Sequence, residues 1–546
     1  MQRIKGIFTI LFSYTLVLLV YGCASGHHET QQKLREYSSS GRYDEAVQFL
    51  NASSLNKDKN AQLIVYMEKG LLNHNAGKYQ ASLEAFEVAK KLVGELFTTR
   101  ISGKLQSAVS NDNADLYYGE KYEASLIYFY LVLNHYLLFL SDPGPQKAAH
   151  LQRARAEVLA WDSFIKSMKD ARLGQAIFKD DIMAKIFGGL IHEAMGTSTD
   201  GQTALLLYRD ALNLFFTNYN SYPSFNLKAD KFLGDFDKLP TMEKNYVSQN
   251  YIQETYHQGP VRDFLTLKVL QLTKKYLPQE YATWHTQLAP SAEIVETLKQ
   301  KGQVVTILVQ DGLIAEKKAA KYSYPINLGG MQSFAGSNLG LNFATGIEFE
   351  LPEVERKPVI EQAVLFVTTP SGQTVKQVTM PLVAPLSDMA EQAIKEHANA
   401  VKTKTGIRVA AKHVAAIVAA YGVYKSVSEQ GGNAAAFAGM AASVSYAGAA
   451  SAIAASEKAD VRFWSTLPAA VRLVQVALPP GEYDFTVRYY TGNPNPTRIV
   501  ALGRKQVSKG KGARREFVSK TIPLQDPLAT QVTPSRGIAS EKPSKK

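Results

Sequence analysis

The chain has 546 residues, a single cysteine and a formal net charge of +12 at pH 7. One thiol excludes an internal disulfide and a zinc site built from several cysteines, and the length is sufficient for two or three domains. Most of the charge, +8, lies between residues 501 and 546, and two more positive charges precede residue 22. The remainder of the chain is nearly neutral, so the charge does not indicate a nucleic-acid-binding fold, and we expect no nucleic-acid partner.

Residues 1–22 have the pattern of a secretory signal peptide. Arg3 and Lys5 precede an apolar run that ends at Val20, and this run is shorter than the roughly 20 residues that a transmembrane helix needs. The boundary "VYGC" resembles the lipobox of bacterial lipoproteins, which implies that the thiol of Cys23 carries a diacylglycerol. In that family an Asp after the cysteine retains the protein at the inner membrane. Ala24 at that position implies an outer-membrane protein that faces the periplasm. A plain secreted protein or a single membrane anchor is the alternative.

Residues 23–300 show apolar residues at helical spacing, which predicts a helical domain. "GRYDEAVQFL" begins at Gly41 and "GKYQASLEAFEVA" at Gly77, 36 residues apart. Both resemble the tetratricopeptide repeat, in which small residues of one helix pack against large residues of the next. Weaker copies are "GEKYEASLIYFYLVL" and "ALLLYRDAL".

We therefore predict an α-solenoid of tetratricopeptide-like helix pairs, with ordinary helix pairs as the alternative. The concave groove of such an array would bind a segment of an envelope protein. The aromatic residues predicted to line it are Tyr43, Tyr79, Phe86, Tyr122 and Tyr208.

The segment "YFYLVLNHYLLFL" at 128–140 is too apolar for a surface helix, so we predict a buried central helix. Asn134 and His135 interrupt it and need hydrogen-bond partners if they are buried. We interpret His135 as a core residue with a partner and not as a metal ligand.

Strand signals begin near residue 301. "KGQVVTILVQDGL" alternates, is rich in Val and Ile, and ends in Asp-Gly. Later segments contain the turn sequences Pro-Ser-Gly and Pro-Pro-Gly. Seven to nine short strands at this spacing predict a β-sandwich-like domain at 301–385 and 459–525, with a partly open barrel as the alternative.

An Ala- and Gly-rich insertion at 386–458 separates the two parts of the β domain. The stretch from Ala434 to Ala455 has no charged residue, and more than half of it is Ala. Gly439, Ser443 and Ala447 lie four residues apart, a spacing that allows helices to approach closely. We predict a helical hairpin that packs tightly or self-associates through 434–455. A transmembrane span is the alternative, because the stretch is long enough to cross a bilayer.

The segment "DVRFWSTLPAAVRLVQVALPPGEYDF" at 460–485 resembles a family of bacterial lipoproteins. These proteins combine a tetratricopeptide-like first half with strands around an R-x-W-x-x-L-P motif and a Pro-Pro-Gly turn. "VTILVQDGL", "YYGEKYEASLIYFYLVLN" and "RVAAKHVAA" stand where the family has its other segments. This family is grouped with lipoproteins that resemble penicillin-binding-protein activators, which implies a role in envelope assembly. The resemblance implies no catalytic residues. Arg462 and Trp464 in the motif form either an anchoring cluster or a β-core Trp with a capping Arg.

The sequence lacks the familiar catalytic patterns. It has no phosphate-binding loop, no HExxH and no Gly-x-Ser-x-Gly, and His192-Glu193 is only half of a metal motif. We therefore predict no catalytic residues, no metal site, no cofactor and no enzymatic activity.

Basic residues near the C-terminus are predicted to contact anionic lipid, polysaccharide or peptidoglycan, or else to form a solvated loop: Arg504, Lys505, Lys509, Lys511, Arg514 and Arg515. Residues 526–546 are predicted to be a disordered basic tail.

Together these features predict an α+β multidomain protein, anchored to the outer membrane through Cys23, that acts as an adaptor or scaffold in cell-envelope assembly. The helical repeats would bind envelope proteins. Two alternatives remain open: an enzyme that acts on cell-wall glycan, and a component of an outer-membrane export pore that uses the Ala-rich hairpin.

Overall fold

The computed structural model describes residues 24–101, 116–141, 144–170, 181–217, 260–299, 302–325, 346–355, 362–431, 437–490, 496, 498–508 and 516–522. Over these residues the chain is a mixed α+β structure, with helices first and sheets in the C-terminal half. The predicted order of a helical part and a strand-rich part is therefore confirmed. The predicted signal peptide, Cys23 and the predicted tail at 526–546 lie outside the described residues.

The helices before residue 300 pack chiefly against their neighbours in the chain, as α4 does on α5, α6 on α7 and α8 on α9. Two single turns of 3-10 helix occur at Lys59–Ala61 and Pro278–Glu280. The α-helices are α1 Ala24–Ser39, α2 Tyr43–Ala52, α3 Ser54–Lys57, α4 Gln62–Asn75, α5 Tyr79–Ile101, α6 Lys121–Ser141, α7 Lys147–Asp170, α8 Ile182–Met195, α9 Ser198–Thr217, α10 Pro260–Tyr276, α11 Tyr281–Leu288 and α12 Ala292–Lys299.

The Gly that opens each of the first three repeat segments lies in the turn before a helix. Gly41, Gly77 and Gly119 have φ of 71°, 76° and 71°, in the left-handed region that favours glycine. Each turn allows the chain to reverse, and a helix begins within two residues of it, so the recurring motif marks helix starts.

Helix α6 is buried along most of its length, from Tyr122 to Leu137, which confirms the predicted buried central helix. Both polar interruptions have partners there. Asn134 donates to Ser82 Oγ at 2.8 Å and contacts His74 Nδ1 at 2.6 Å, and His135 Nδ1 lies 3.3 Å from His150 Nδ1.

Within the described residues, the strands form two four-stranded sheets and a two-stranded ribbon. One sheet has the order β10-β1-β7-β6, the other β5-β4-β8-β9, and β2 pairs with β3 in the ribbon. Strand β1 runs parallel to β10 and antiparallel to β7. The strands are β1 Gln303–Asp311, β2 Glu316–Pro325, β3 Gly346–Glu355, β4 Gln362–Thr368, β5 Thr374–Thr379, β6 Leu382–Ala384, β7 Ala470–Leu478, β8 Gly481–Tyr490, β9 Arg498–Val507 and β10 Glu516–Ile522.

Strand β1 is buried on both of its faces. Val305, Ile307 and Val309 share one apolar cluster with residues of the β5-β4-β8-β9 sheet. Leu308 points the other way, into a second cluster that extends from the helices of the first half to Phe517 of β10. Because side chains alternate across a strand, the sheet forms a middle layer between the helices and the second sheet. A continuous core therefore crosses residue 300.

The insertion between β6 and β7 is a helical hairpin of α13, Leu386–Ser428, and α14, Ala438–Ser456. The two helices pack against each other, and the β2–β3 ribbon packs on one side of them. Phe349 and Leu351 of β3 join Val409, Ala442 and Tyr446 of the hairpin in a separate apolar cluster.

Candidate functional site

Residues 460–467, which we call the docking loop, connect the hairpin to β7 and insert among the helices of the first half. The strongest anchor is Glu68 of α4, which is fully buried. Its Oε1 accepts hydrogen bonds from the backbone N–H and the hydroxyl of Ser465, each at 2.7 Å. Its Oε2 accepts a short hydrogen bond from the Thr466 hydroxyl. One carboxylate from the helical half thus holds three donors of the loop.

A second buried carboxylate, that of Glu123 in α6, holds the preceding loop residue. Its Oε1 accepts from the backbone N–H of Trp464 at 2.8 Å, and its Oε2 accepts from the Tyr117 hydroxyl at 2.6 Å. Burial raises the pKa of Glu123, and the nearby Lys317 ammonium opposes that rise.

Helix α1 contacts the same loop from another side. Arg35 donates to the carbonyl of Ser465 at 2.7 Å and to the carbonyl of Ile314 at 3.0 Å, and Gln31 donates to the carbonyl of Phe463 at 2.6 Å. Backbone carbonyls that leave water need such donors. Helices α1, α4 and α6 together therefore hold backbone groups of Phe463, Trp464 and Ser465.

The indole of Trp464 fills the space between these anchors. Its ring centroid lies 5.7 Å from that of Phe86 and 5.8 Å from that of Tyr130. Tyr130 also donates to Gln310 of β1 at 2.6 Å. Trp464 is thus an aromatic anchor that packs on side chains of the helices, in a cluster that also includes the strand residues Leu308 and Leu473. Arg462 pairs with Asp460 at 2.7 Å and lies over the ring of Tyr117.

Burial strongly perturbs the pKa of Glu68 at this junction. Loss of hydration raises the pKa of Glu68 to about 7, although the hydrogen bonds from Ser465 and Thr466 act in the opposite direction. The carboxyl therefore changes its charge close to neutral pH, at the contact that joins the loop to the helices.

The aromatic residues predicted to line a binding groove have two kinds of environment. Phe86, Tyr122 and Tyr208 are buried in the core, whereas Tyr43 and Tyr79 are half-buried. Phe86 packs on Trp464 of the docking loop, and Tyr208 donates to Glu193 at 2.7 Å. The first three therefore offer no open surface to a partner in this structure.

Two of these aromatic residues face a glycine. A Cβ built on Gly70 would lie 2.6 Å from the Phe86 ring, and one on Gly189 would lie 2.6 Å from the Tyr208 ring. The pairs α4–α5 and α8–α9 therefore share a close approach of a large ring to a helix backbone.

The hairpin presents large apolar side chains to solvent in one row along each of its two helices, and we call the two rows together the apolar stripe. Val418 and Val444 are 64% and 67% exposed. Successive stripe positions are three, four or seven residues apart along each helix. The stripe consists of Ile407, Val414 and Val418 on α13, of Phe437 directly before α14, and of Met440 and Val444 on α14. Small residues that are also exposed, Ala411 and Ala447 among them, continue it.

The base of the hairpin is fixed by a buried ion cluster. Glu457, which follows α14 directly, is buried and accepts from Arg408 at 2.7 Å and from Lys412 at 2.6 Å.

Among the described residues, three helical segments are long and apolar enough to cross a membrane by length and composition: Lys121–Ser141, Thr405–Ser428 and Ala438–Ser456. The first is mostly buried inside the protein, whereas the two hairpin segments are mostly exposed.

A cavity of about 370 Å³ lies between helices α10 and α12 and the two four-stranded sheets. Asp263, Glu293 and Lys376 contribute charged groups to its lining. Burial, together with the negative charge of Glu293, raises the pKa of Asp263 to about 6.

The other predicted sites are only partly described. Arg504 is exposed and pairs with Asp484 at 2.8 Å, and Lys505 is half-buried on β9. Lys509, Lys511, Arg514 and Arg515 lie outside the described residues.

His192 contacts Asp200 at 2.8 Å, and the part of the chain that the structure describes contains no group of three or more residues suited to hold a metal.

Glu68 and Arg35, which hold the docking loop, are not among the functional residues predicted from the sequence. A signal for Glu68 was present, because it is the acidic residue in the apolar run "LIVYMEKGLL", and a buried carboxylate needs donors. The sequence offered no means of finding those donors almost 400 residues away.

Comparisons with protein-family models, with curated proteins and with solved structures gave no match to this chain.

Proposed function

We propose that the protein is a lipid-anchored scaffold of the bacterial outer membrane that faces the periplasm and binds its partners through the apolar hairpin. The observation that carries the proposal is the apolar stripe. Contiguous exposed apolar surface on a soluble protein usually marks an interaction site. The other exposed large apolar side chains, such as Leu206 and Val375, lie on separate elements.

The helical array, in this proposal, has tetratricopeptide-like character but serves an internal role. Its support is the left-handed Gly at the start of the first three repeat segments and the close approach of Gly70 to Phe86, which Gly189 and Tyr208 repeat. Because Phe86 packs against the chain's own Trp464, we assign the partner surface to the hairpin and not to the groove residues. No reaction or cofactor belongs to the proposal.

The membrane anchor, in this proposal, is an acylated Cys23, which directly precedes helix α1 in the sequence. His27, four residues later, lies 3.3 Å from Asp58, and the charges of Asp460 and Arg462 act on its pKa. Residue 460 follows the end of α14 by only four residues. The described start of the chain at His27 therefore lies close to the segment that leaves the hairpin.

A second candidate function is a component of an outer-membrane export pore. It is favoured by the length and composition of Thr405–Ser428 and Ala438–Ser456, each of which suffices to cross a membrane. A protein with this function would remain embedded in the membrane without its acyl chains.

The decisive experiment fractionates cells that express the full chain, the Cys23→Ser variant and the Val414→Glu variant, and then identifies crosslinked partners by mass spectrometry. We expect Cys23→Ser to leave the membrane on carbonate extraction. We expect Val414→Glu to remain anchored but to lose its crosslinks. The matched control is Leu206→Glu, since Leu206 is 59% exposed on α9, away from the hairpin.

Three results would count against the scaffold. Retention of Cys23→Ser in carbonate-washed membranes would favour the pore. Crosslinks that Val414→Glu keeps would remove the hairpin as the partner surface. A parent chain that crosslinks to no protein would refute a scaffold outright.

A further inference from the structure

We infer that the cavity between α10, α12 and the two four-stranded sheets binds a short free peptide in an extended conformation. The ammonium group of the peptide would lie at Asp263, and its backbone would follow the open edge of β7. The site is independent of the proposed function, because the described lining of the cavity includes no residue of the hairpin. The volume of about 370 Å³ lies at the small end of the range for small-molecule sites, which suits a peptide of a few residues.

The open edge of β7 supplies the contacts to a peptide backbone. On the side away from β1, β6 pairs only with the first part of β7, and the N–H of Leu473 donates to the carbonyl of Pro381. Backbone groups of residues two apart point to the same side of a strand. The N–H and C=O of Gln475 and Ala477 therefore point to this edge, where no described residue pairs with them. Both residues line the cavity, so an extended peptide placed there would add a strand to the sheet.

The charged groups of the cavity are divided between its walls. The helices contribute two carboxylates, Asp263 on α10 and Glu293 on α12, whereas β5 contributes the ammonium group of Lys376. A free peptide carries opposite charges at its two ends, so it matches an acidic wall and a basic wall at the same time. A simple cation or a simple anion would match only one of them.

The carboxylate of Asp263 has an oxygen that lacks a donor. Its Oδ1 is buried and has no hydrogen-bond partner among the described residues. The guanidinium of Arg262 acts on the charge of Asp263, but it donates its hydrogen bond to the carbonyl of Leu288. A buried carboxylate oxygen without a donor is costly, and the ammonium group of a peptide would satisfy it.

The side chain of Gln475 is held in place at the wall of the cavity. Its Oε1 accepts from Nζ of Lys268 at 3.1 Å, and its Nε2 donates to the Thr306 hydroxyl at 3.0 Å. Lys268 is buried and is itself held by Glu193, with Nζ 2.6 Å from Oε1. These contacts fix the orientation of the amide and leave one N–H of Nε2 for a ligand. A group that is already ordered loses little entropy when a ligand binds.

Apolar side chains form much of the remaining lining, among them Phe264, Leu267 and Ile294. They would cover the side chains of a bound peptide, so we expect a preference for apolar residues. The tripeptide Ala-Val-Ala is therefore a suitable probe.

The test measures binding of Ala-Val-Ala to the full chain in detergent by titration calorimetry. Acetylation of its amino group should weaken binding about tenfold, because the charge-assisted hydrogen bond to Asp263 is lost. Amidation of its carboxyl group should weaken binding less, because Lys376 is only half-buried. Methylation of its peptide nitrogens one at a time should weaken binding at one nitrogen and not at the other, because only every second residue of an added strand bonds to its neighbour.

Two variants locate the peptide in the cavity. Asp263→Asn should remove the preference for the free amine over the acetylated form, and Asp44→Asn, at an exposed position on α2, is the control that should keep it. Thr297→Trp should abolish binding by filling the cavity. Its matched control is Thr203→Trp on α9, because both threonine hydroxyls donate to the carbonyl four residues earlier. Circular dichroism of each variant shows that the fold is retained.

Each other outcome overturns the inference. Equal binding of the free and acetylated tripeptides to the parent chain would refute the ammonium site. Equal binding of free alanine and the tripeptide would refute the backbone contact with β7. Binding that Thr297→Trp retains would place the peptide elsewhere, and no binding at about 1 mM tripeptide would refute the site altogether. These results do not depend on crosslinking through the hairpin, so the proposed function is tested separately.

Discussion

Replacement of Glu68 by Gln is expected to remove a pH-dependent term from the stability of the protein. The folded state raises the pKa of Glu68 from 4.5 to about 7 because the carboxyl is fully buried. The folded state therefore holds a proton that the unfolded state has released. This contribution to stability is present below pH 4.5 and is lost as the pH rises through 7. Proton linkage gives a loss of about 2 kcal/mol between about pH 5.5 and about pH 8.5.

The Glu68→Gln side chain keeps an oxygen that can accept from Ser465 and an amide close to the Thr466 hydroxyl. We therefore expect the variant to fold and to be more stable than the parent chain near pH 8.5. We expect this difference in stability to be smaller near pH 5.5. Urea unfolding followed by tryptophan fluorescence at both values measures the difference, and the subtraction cancels the contributions of other titrating groups. Glu87→Gln, at a half-exposed position on α5, is the control. Parallel stability profiles of Glu68→Gln and the parent chain would refute the buried, proton-binding carboxyl.

Three further predictions concern other parts of the structure. Trp464→Ala should lower the free energy of unfolding by about 3–5 kcal/mol, because it empties an enclosed aromatic site; urea titration checks this, and a loss below about 1 kcal/mol would contradict the packing. Glu457→Gln leaves the buried Arg408 without its counter-charge, at a cost of about 3–5 kcal/mol, and should increase hydrogen exchange at the hairpin base; unchanged exchange would exclude that role. Burial raises the pKa of Asp263, so the contribution of this residue to stability is lost as the pH rises from 3.8 toward 6. Asp263→Asn should abolish that loss, and urea midpoints that show the same loss in the variant would refute the assignment.

Local patterns allowed several elements to be predicted from the sequence. The repeat segments that open with Gly41 and Gly77 are helices from Tyr43 and Tyr79, and the dense apolar run of α6 is a buried helix. Alternation of Val305, Ile307 and Val309 marked β1 as a strand. These properties depend on side chains a few residues apart, so periodicity suffices to find them. A lipid anchor at Cys23 and the tetratricopeptide-like character of the helices remain predictions.

Contacts between distant segments could not be predicted in this way. The aromatic positions Phe86 and Tyr122 suggested an open groove, yet both are buried, and Phe86 packs on Trp464 from a segment nearly 380 residues later. Periodicity identifies an apolar face but does not say which part of the chain covers it.

The sequence by itself determined the order of helices and strands, the reversal points at glycine, and the uncharged character of the hairpin, because each is set by local conformational preference or composition. Only the tertiary structure decided that the docking loop fills the helical array and that the stripe from Ile407 to Val444 is exposed. The reason is that burial depends on which surfaces meet, and Glu68 meets Ser465 only when segments 397 residues apart fold together.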